Sequence, residues 1–496
     1  MALVHFIVPF GILILFTVGL RKPLWLAALV SYPSSVGLFL LLGSPADQLA
    51  LGLVMGLFVA LEISLVLTGA IFFLNYLKEH QVIDQINEGL RGITSRTVIQ
   101  VLLLTWLFGS FIEGSAGFGT PALMIAPLLA SLGFPVSLAV ALPLWADTTA
   151  VAFGAVGTPI KIGFAELDSP TIATTASLLN LSTGWIVPLL LVGLLHRHFP
   201  EPAALQVRKY IPFALWSGFA FTFPAWLISF LGPEFPSLLG GLVGLFLVIL
   251  SVKYRLFLSE EVPAPQRELD IKGFLLAFLP YIGLSLLLIA GRLLFKGNHI
   301  TLPLWDGASR RLYLFQPGMA FFTMPLILML VSGSRFQWSK IEPAFRVALR
   351  SVPRPALAIL FIAAIAQNLV LSQQSFLSPV LPRLPTSLAV FLTPFFGALG
   401  SFAAGSATVS NLLFGQEIYT SATLLAVDPG IMLSLQLAGA SIGNAVALQN
   451  IAVVQAAIQS QGQEKDLLKI LVGPCLLYMV LVGLVGVLYI HFMVNP

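Results

Sequence analysis

Apolar runs of about 20 residues recur along nearly the whole chain, each the length a helix needs to cross a bilayer. Residues 3–20, 24–43 and 49–77 open the series. In hydrocarbon only a helix or a closed barrel satisfies its own backbone, so runs of this length read as spanning helices. The composition agrees. Of 496 residues 58% are hydrophobic and 9% charged, with a mean hydropathy of +0.96. A soluble chain carries roughly 25% charged residues, so the apolar surface here needs lipid as its partner. The fold class is an all-α polytopic membrane protein. The single cysteine, Cys475, excludes an internal disulfide and a cysteine metal cluster. A net charge of +4 without a basic block offers no nucleic-acid face. No metal and no cofactor is expected.

Further spans are expected at 98–108, 122–144, 172–195, 212–231 and 237–252. Others follow at 273–295, 313–331, 356–371, 387–399, 430–443 and 467–491. That makes on the order of 12 spans. Arg21 and Lys22 follow the first run instead of preceding it, so it reads as a span and not a cleaved signal. Cations then fall on alternate loops: Asp47 alone in 44–48, but Lys78, Arg91 and Arg96 in 78–96. The positive-inside rule therefore places the N-terminus outside in a multi-pass protein, and the absence of targeting or lipidation signals fits direct insertion into a bacterial inner membrane. A charged, proline-containing stretch at 258–272 (with SEEVPAPQRELDIK) divides a first half, 1–257, from a second, 273–496.

The two halves share a motif. GSFIEGS at 109–115 returns as GSFAAGS at 400–406, alike at five of seven positions. Each copy is followed by a second glycine-containing polar break, at 147–160 and 438–453. Paired interruptions in corresponding positions of two halves point to a transporter's substrate site. A broken helix survives in a membrane only where it is buried or lines a watery cavity. It also frees N–H groups carrying partial positive charge, which receive an anion without a buried cation.

The candidate substrate groups of the first half are Gly114, Ser115, Gly117, Gly119, Thr148, Thr149 and Gly154. Those of the second are Gly405, Ser406, Thr408, Ser410, Asn411, Asn444, Gln449 and Asn450. The expected ligand is a small organic anion. Each hydroxyl taken singly also reads as a local backbone cap. Lys161 is the one clear cation in the broken segments, near a membrane edge. Glu113 and Asp147 are the carboxyl groups inside the breaks, and Glu62 lies mid-span. An ionisable residue at membrane depth is a functional candidate by default. Loss of water favours a neutral carboxyl group, which suits a proton carrier. A carboxylate locked to backbone amides at a half-helix start is the structural alternative. Both stand for Glu113 and Asp147, while Glu62 reads better as structural.

GSFIEGSAGFGTP (109–121) followed by DTTAVAFGAVGTPI (147–160) resembles the bacterial L-lactate permease family. GALGSFAAGSATVSNLLFG (397–415) and QNIAV (449–453) resemble its second-half motifs. The resemblance covers most of the chain. It implies a proton-linked symporter of lactate and glycolate. It also implies two inverted repeats with re-entrant hairpins and an elevator-like movement. Three positions depart from the family pattern: Ala407 stands where an Asp is usual, Asn444 where a Lys is usual, and Asp147 where an Asn is usual. A charge of each sign is thus missing together from the second half, as expected of former partners. Proton coupling is accordingly assigned to Glu113 and Asp147.

Other classes are weaker. GASIG at 439–443 matches the G-x-S-x-G of serine hydrolases, yet Ser441 lies in an apolar helical stretch without a strand-to-helix elbow. The glycines of 114–119 follow no strand and precede no Lys-Ser/Thr pair, which dismisses nucleotide binding. His196 and His198 are two apart, so a helix points them to different faces. A sodium-coupled carrier of another organic anion such as a dicarboxylate is the nearest alternative, and a channel is more distant. Oligomeric state is not readable.

Overall fold

The computed structural model describes residues 2–43, 45–117, 119–165, 167–198, 207–258, 271–295, 298–305, 308–331, 336–372, 376–460 and 462–494. Most of the charged linker at 258–272, namely 259–270, lies outside the described residues. Among the described residues nine helices are long and apolar enough to cross a membrane, or up to 12 if each of three bent pairs counts as one span. This is a helical, multi-pass membrane protein. The chain forms two compact units: Met1–Glu88 with Asp270–Phe376, and Gly89–Leu269 with Leu377–Pro496.

In the first unit the long helix Ala46–Glu79 shows why such a sequence folds as it does. Leu53, Leu57 and Leu61, four residues apart, lie exposed on one face, where only lipid can cover them. The other face buries large side chains such as Val59, Ile63 and Phe73, with glycines between them. Gly56 rests on the backbone of Leu360 and Ala364, and Gly69 on Gly318 and Phe321. Lipid tails are as apolar as leucine, so close backbone approach at small residues drives helix association here. Glu62, mid-span on this helix, pairs with Arg310 at 2.8 Å. Arg310 belongs to a two-stranded antiparallel hairpin, His299–Pro303 with Ser309–Tyr313. The span expected at 313–331 is therefore shorter: its first residue closes the hairpin, and the helix runs Pro317–Val331.

The second unit holds the broken segments. Trp106 and Trp145 are fully buried there, their indole N–H groups donating to Ser217 O and Val187 O, each at 3.0 Å. The expected single span at 122–144 is instead two helices, Thr120–Ser131 and Val136–Ala146. Gly133 between them has φ +86°, a left-handed turn that glycine adopts without penalty, and Pro135 caps the next helix. Ala407–Leu424 is a regular 18-residue helix that apolar runs do not reveal, because it carries Thr408, Ser410, Asn411 and Glu417 into the protein interior.

The second interruption of the second half also sits elsewhere than its glycines suggest. Pro429–Asn444 is one continuous helix, and the bend of 41° falls between it and Leu448–Ala457. Gly439 and Gly443 press on the backbone of Pro394 and Ala398 in the helix Thr386–Ala404, and Gly397 presses back on Gln436. The glycines of GASIG thus allow two helices to touch. A methyl group at position 439 would overlap the Pro394 carbonyl. Gly439→Ala is expected to lose about 1–3 kcal/mol of stability, as overpacking does. A lower temperature of unfolding for the purified protein in detergent, beside a neutral Gly473→Ala control in open space, checks this.

Candidate functional site

Two helices of the second unit end abruptly and turn back. Gly109–Ser115 stops at Ala116, and Gly117 and Gly119 at φ +62° and +75° redirect the chain into Thr120–Ser131. Thr386–Ala404 stops at Gly405, φ +64°, and Ala407–Leu424 begins after an extended Ser406. Ser406 Oγ accepts from Val409 N at 3.4 Å, and Ser410 N donates to Ser406 O at 3.1 Å. The N–H groups of Ala407 and Thr408, ahead of those bonds, have no carbonyl inside the helix.

The other first-half break is more distorted. After Val136–Ala146 the chain makes a short 3₁₀ turn, Ala150–Phe153, and bends by 52°. Ala155, Val156 and Gly157 then take left-handed φ values of 43°, 51° and 77°. Left-handed backbone costs an L-residue roughly 1–2 kcal/mol, and a β-branched valine there is an outlier. Packing holds it in place: Gly117 abuts the Ala155 backbone, and Gly157 abuts Pro233 O. Strain of this sort gathers at functional sites.

These pieces border a small hollow of about 30 Å³ that is partly open. Glu113, Val151, Gly154, Ala155, Thr158 and Pro159 line it from the first half. Gly405, Ser406, Ala407, Thr408 and Asn444 line it from the second. No lysine or arginine is among these lining residues. Positive potential comes instead from the start of Ala407–Leu424.

Glu113 is 3% exposed and Asp147 5%. Their carboxyl groups are neighbours that act directly on each other. Among the described residues no donor reaches Glu113 Oε2 or Asp147 Oδ1. The Glu113 carboxylate also presses on Gly154, where any Cβ would displace it. One proton on the pair would remove the like-charge repulsion between the two acids.

Of the residues selected from sequence, Glu113, Gly154, Gly405, Ser406, Thr408 and Asn444 line the hollow, and Asp147 stands against Glu113. Most of the rest are engaged with the protein. Ser115 Oγ donates to Ile112 O and Thr148 Oγ1 to Trp145 O, both at 2.9 Å. Ser410 Oγ donates to Gly397 O at 2.7 Å. Asn411 Nδ2 donates to Pro159 O at 2.9 Å and its Oδ1 accepts from Gln436 at 3.0 Å, tying the two halves together. Gln449 Nε2 reaches Ala403 O at 3.5 Å, and Asn450 bonds Asn444. Gly114 lies on the Leu238 backbone, Gly117 and Gly119 form the turn, and Thr149 Oγ1 is buried with no partner among the described residues. Lys161 pairs with Glu234 at 2.7 Å. Val151, Ala155, Thr158 and Pro159 were not singled out, although they stand inside the recognised block 147–160. Apolar and helix-interior residues give no polar signal of their own.

Comparison with known proteins places this site in context. A family model described as L-lactate permease matches residues 2–293 and 308–493. The L-lactate permease of Salmonella typhi is 28% identical over 90% of this chain and 87% of its own. The glycolate permease GlcA of Escherichia coli (strain K12) is 26% identical over 86% of this chain and 84% of its own. Among solved structures, the YdaH transporter of Alcanivorax borkumensis aligns with a TM-score of 0.43 and 15% identity, over 86% of this chain and 85% of that one.

Proposed function

The chain belongs to the L-lactate permease family of transporters, and from that we propose that it carries small 2-hydroxy monocarboxylates such as lactate and glycolate together with a proton. The observation that bears most weight is the Glu113–Asp147 pair set against a hollow that has a helix start and no cation. The names of the relatives, lactate and glycolate permeases, support the substrate class.

The substrate carboxylate binds at the free N–H groups of Ala407 and Thr408, beside Ser406. The acid pair takes a proton on the same side. Importing one anion against an interior-negative potential costs about 2.3 kcal/mol per 100 mV, and one co-transported proton cancels that charge. The loaded site changes its exposure and both ligands leave. We place the chain in a bacterial inner membrane with its N-terminus outside, built from repeats 1–257 and 273–496 of inverted topology. An elevator-like movement, in which the unit bearing the hollow travels as one body, fits a site contained wholly in that unit.

Counterflow into proteoliposomes tests the reading. Unlabelled lactate or glycolate outside is expected to drive out trapped labelled lactate, and succinate is expected not to. Exchange with succinate alone, or uptake that stops when potassium replaces sodium at constant pH, would favour the sodium-coupled dicarboxylate carrier instead.

A further inference from the structure

The end of the helix Pro429–Asn444 carries a small amide device at the rim of the hollow. Asn450 Nδ2 lies 3.0 Å from the main-chain oxygen of Asn444 and 2.8 Å from its side-chain Oδ1. A backbone carbonyl only accepts, so the Asn450 group facing it must be the NH₂. The same NH₂ donates to the side chain of Asn444, which must therefore turn its carbonyl oxygen that way. The Asn444 NH₂ is left for the hollow that Asn444 lines. On its far side Asn450 Oδ1 stands over Gly405, where an added Cβ would come within 3.1 Å of it. The three residues thus interlock.

We propose that Asn450 is a positioning residue that fixes the Asn444 amide with its NH₂ toward the hollow, and that Asn444 thereby selects short carboxylates bearing an oxygen on the carbon next to the carboxylate. The proposal rests on the small-carboxylate reading above. With the carboxylate at the Ala407 and Thr408 N–H groups, the adjacent carbon falls on the same hollow as Asn444. A donor serves a hydroxyl and a keto oxygen alike. A bare methylene offers it nothing, and the NH₂ then stays unpaired. The selected class therefore includes both 2-hydroxy and 2-oxo acids.

Ligand-induced thermal stabilisation of the purified full chain, titrated with lactate, pyruvate and propionate, reads this directly. Wild type is expected to bind lactate and pyruvate on the order of tenfold more tightly than propionate, the worth of about one hydrogen bond. Asn444→Leu is expected to erase that ratio. Asn450→Leu is expected to reduce it severalfold while leaving propionate affinity unchanged, and to change nothing further in the Asn444→Leu background. If Asn450→Leu does not fold, Asn450→Ser, which keeps one donor for the helix end, replaces it with the same expectation. Equal weakening of all three acids by the Asn450 variant would reduce the residue to a structural cap and overturn the proposal. So would an altered ratio that persists without Asn444. A wild type that binds none of the three acids would overturn the carboxylate reading and this inference together, an outcome distinct from the other two.

Discussion

Glu113→Gln is expected to abolish accumulation driven by a pH gradient while sparing exchange of labelled lactate for lactate. Glutamine imitates the protonated acid, so the loaded carrier still forms and reorients, but no proton leaves with the substrate. At one proton per substrate, a gradient of two pH units supports roughly 100-fold accumulation, each unit being about 1.4 kcal/mol. The variant should fall to the level seen with no gradient. Asp147→Asn tests the partner in the same way, because the two buried carboxyl groups act directly on each other. Unchanged pH-driven uptake by Asp147→Asn would remove Asp147 from the coupling and leave Glu113 alone.

The second large effect lies in the other unit. Arg310→Met removes the guanidinium that pairs with Glu62 at 2.8 Å, and breaking so enclosed a pair is expected to cost about 3–5 kcal/mol. The pair is well enclosed: the side chains are 4% and 14% exposed. Glu62→Leu combined with Arg310→Met should recover most of the loss, since a well-packed apolar pair is often as stable as the buried ions it replaces. The fraction of protein remaining monodisperse after heating in detergent measures both. A single variant as stable as wild type would show that the hairpin is not anchored through this pair.

How much was legible in the residues follows from what each signal reports. Apolar run length reports lipid, and it served where helices face lipid, as in Ala46–Glu79 with its exposed leucines. It missed Ala407–Leu424, whose polar side chains bond inside the protein. It also fused Thr120–Ser131 with Val136–Ala146, because a glycine-proline turn between two apolar stretches leaves hydropathy almost unchanged. Glycine reports a need for space or for positive φ without saying which. At 117, 119 and 405 it marks left-handed turns, whereas at 439 and 443 it marks helix contact. Glu113 and Asp147 stood out as rare acids at membrane depth. Their mutual interaction brings two separate breaks of the chain together, which no local pattern encodes. The Glu62–Arg310 pair spans residues far apart in the chain and was visible only as an unexplained mid-span acid.

Simultaneous recording of lactate entry and proton entry in proteoliposomes goes to the centre of this account. With sodium absent, an inward pH gradient is expected to drive lactate in above its outside concentration, one proton per lactate, and a protonophore to collapse it. Lactate movement without accompanying protons, or only when sodium is present, would contradict it.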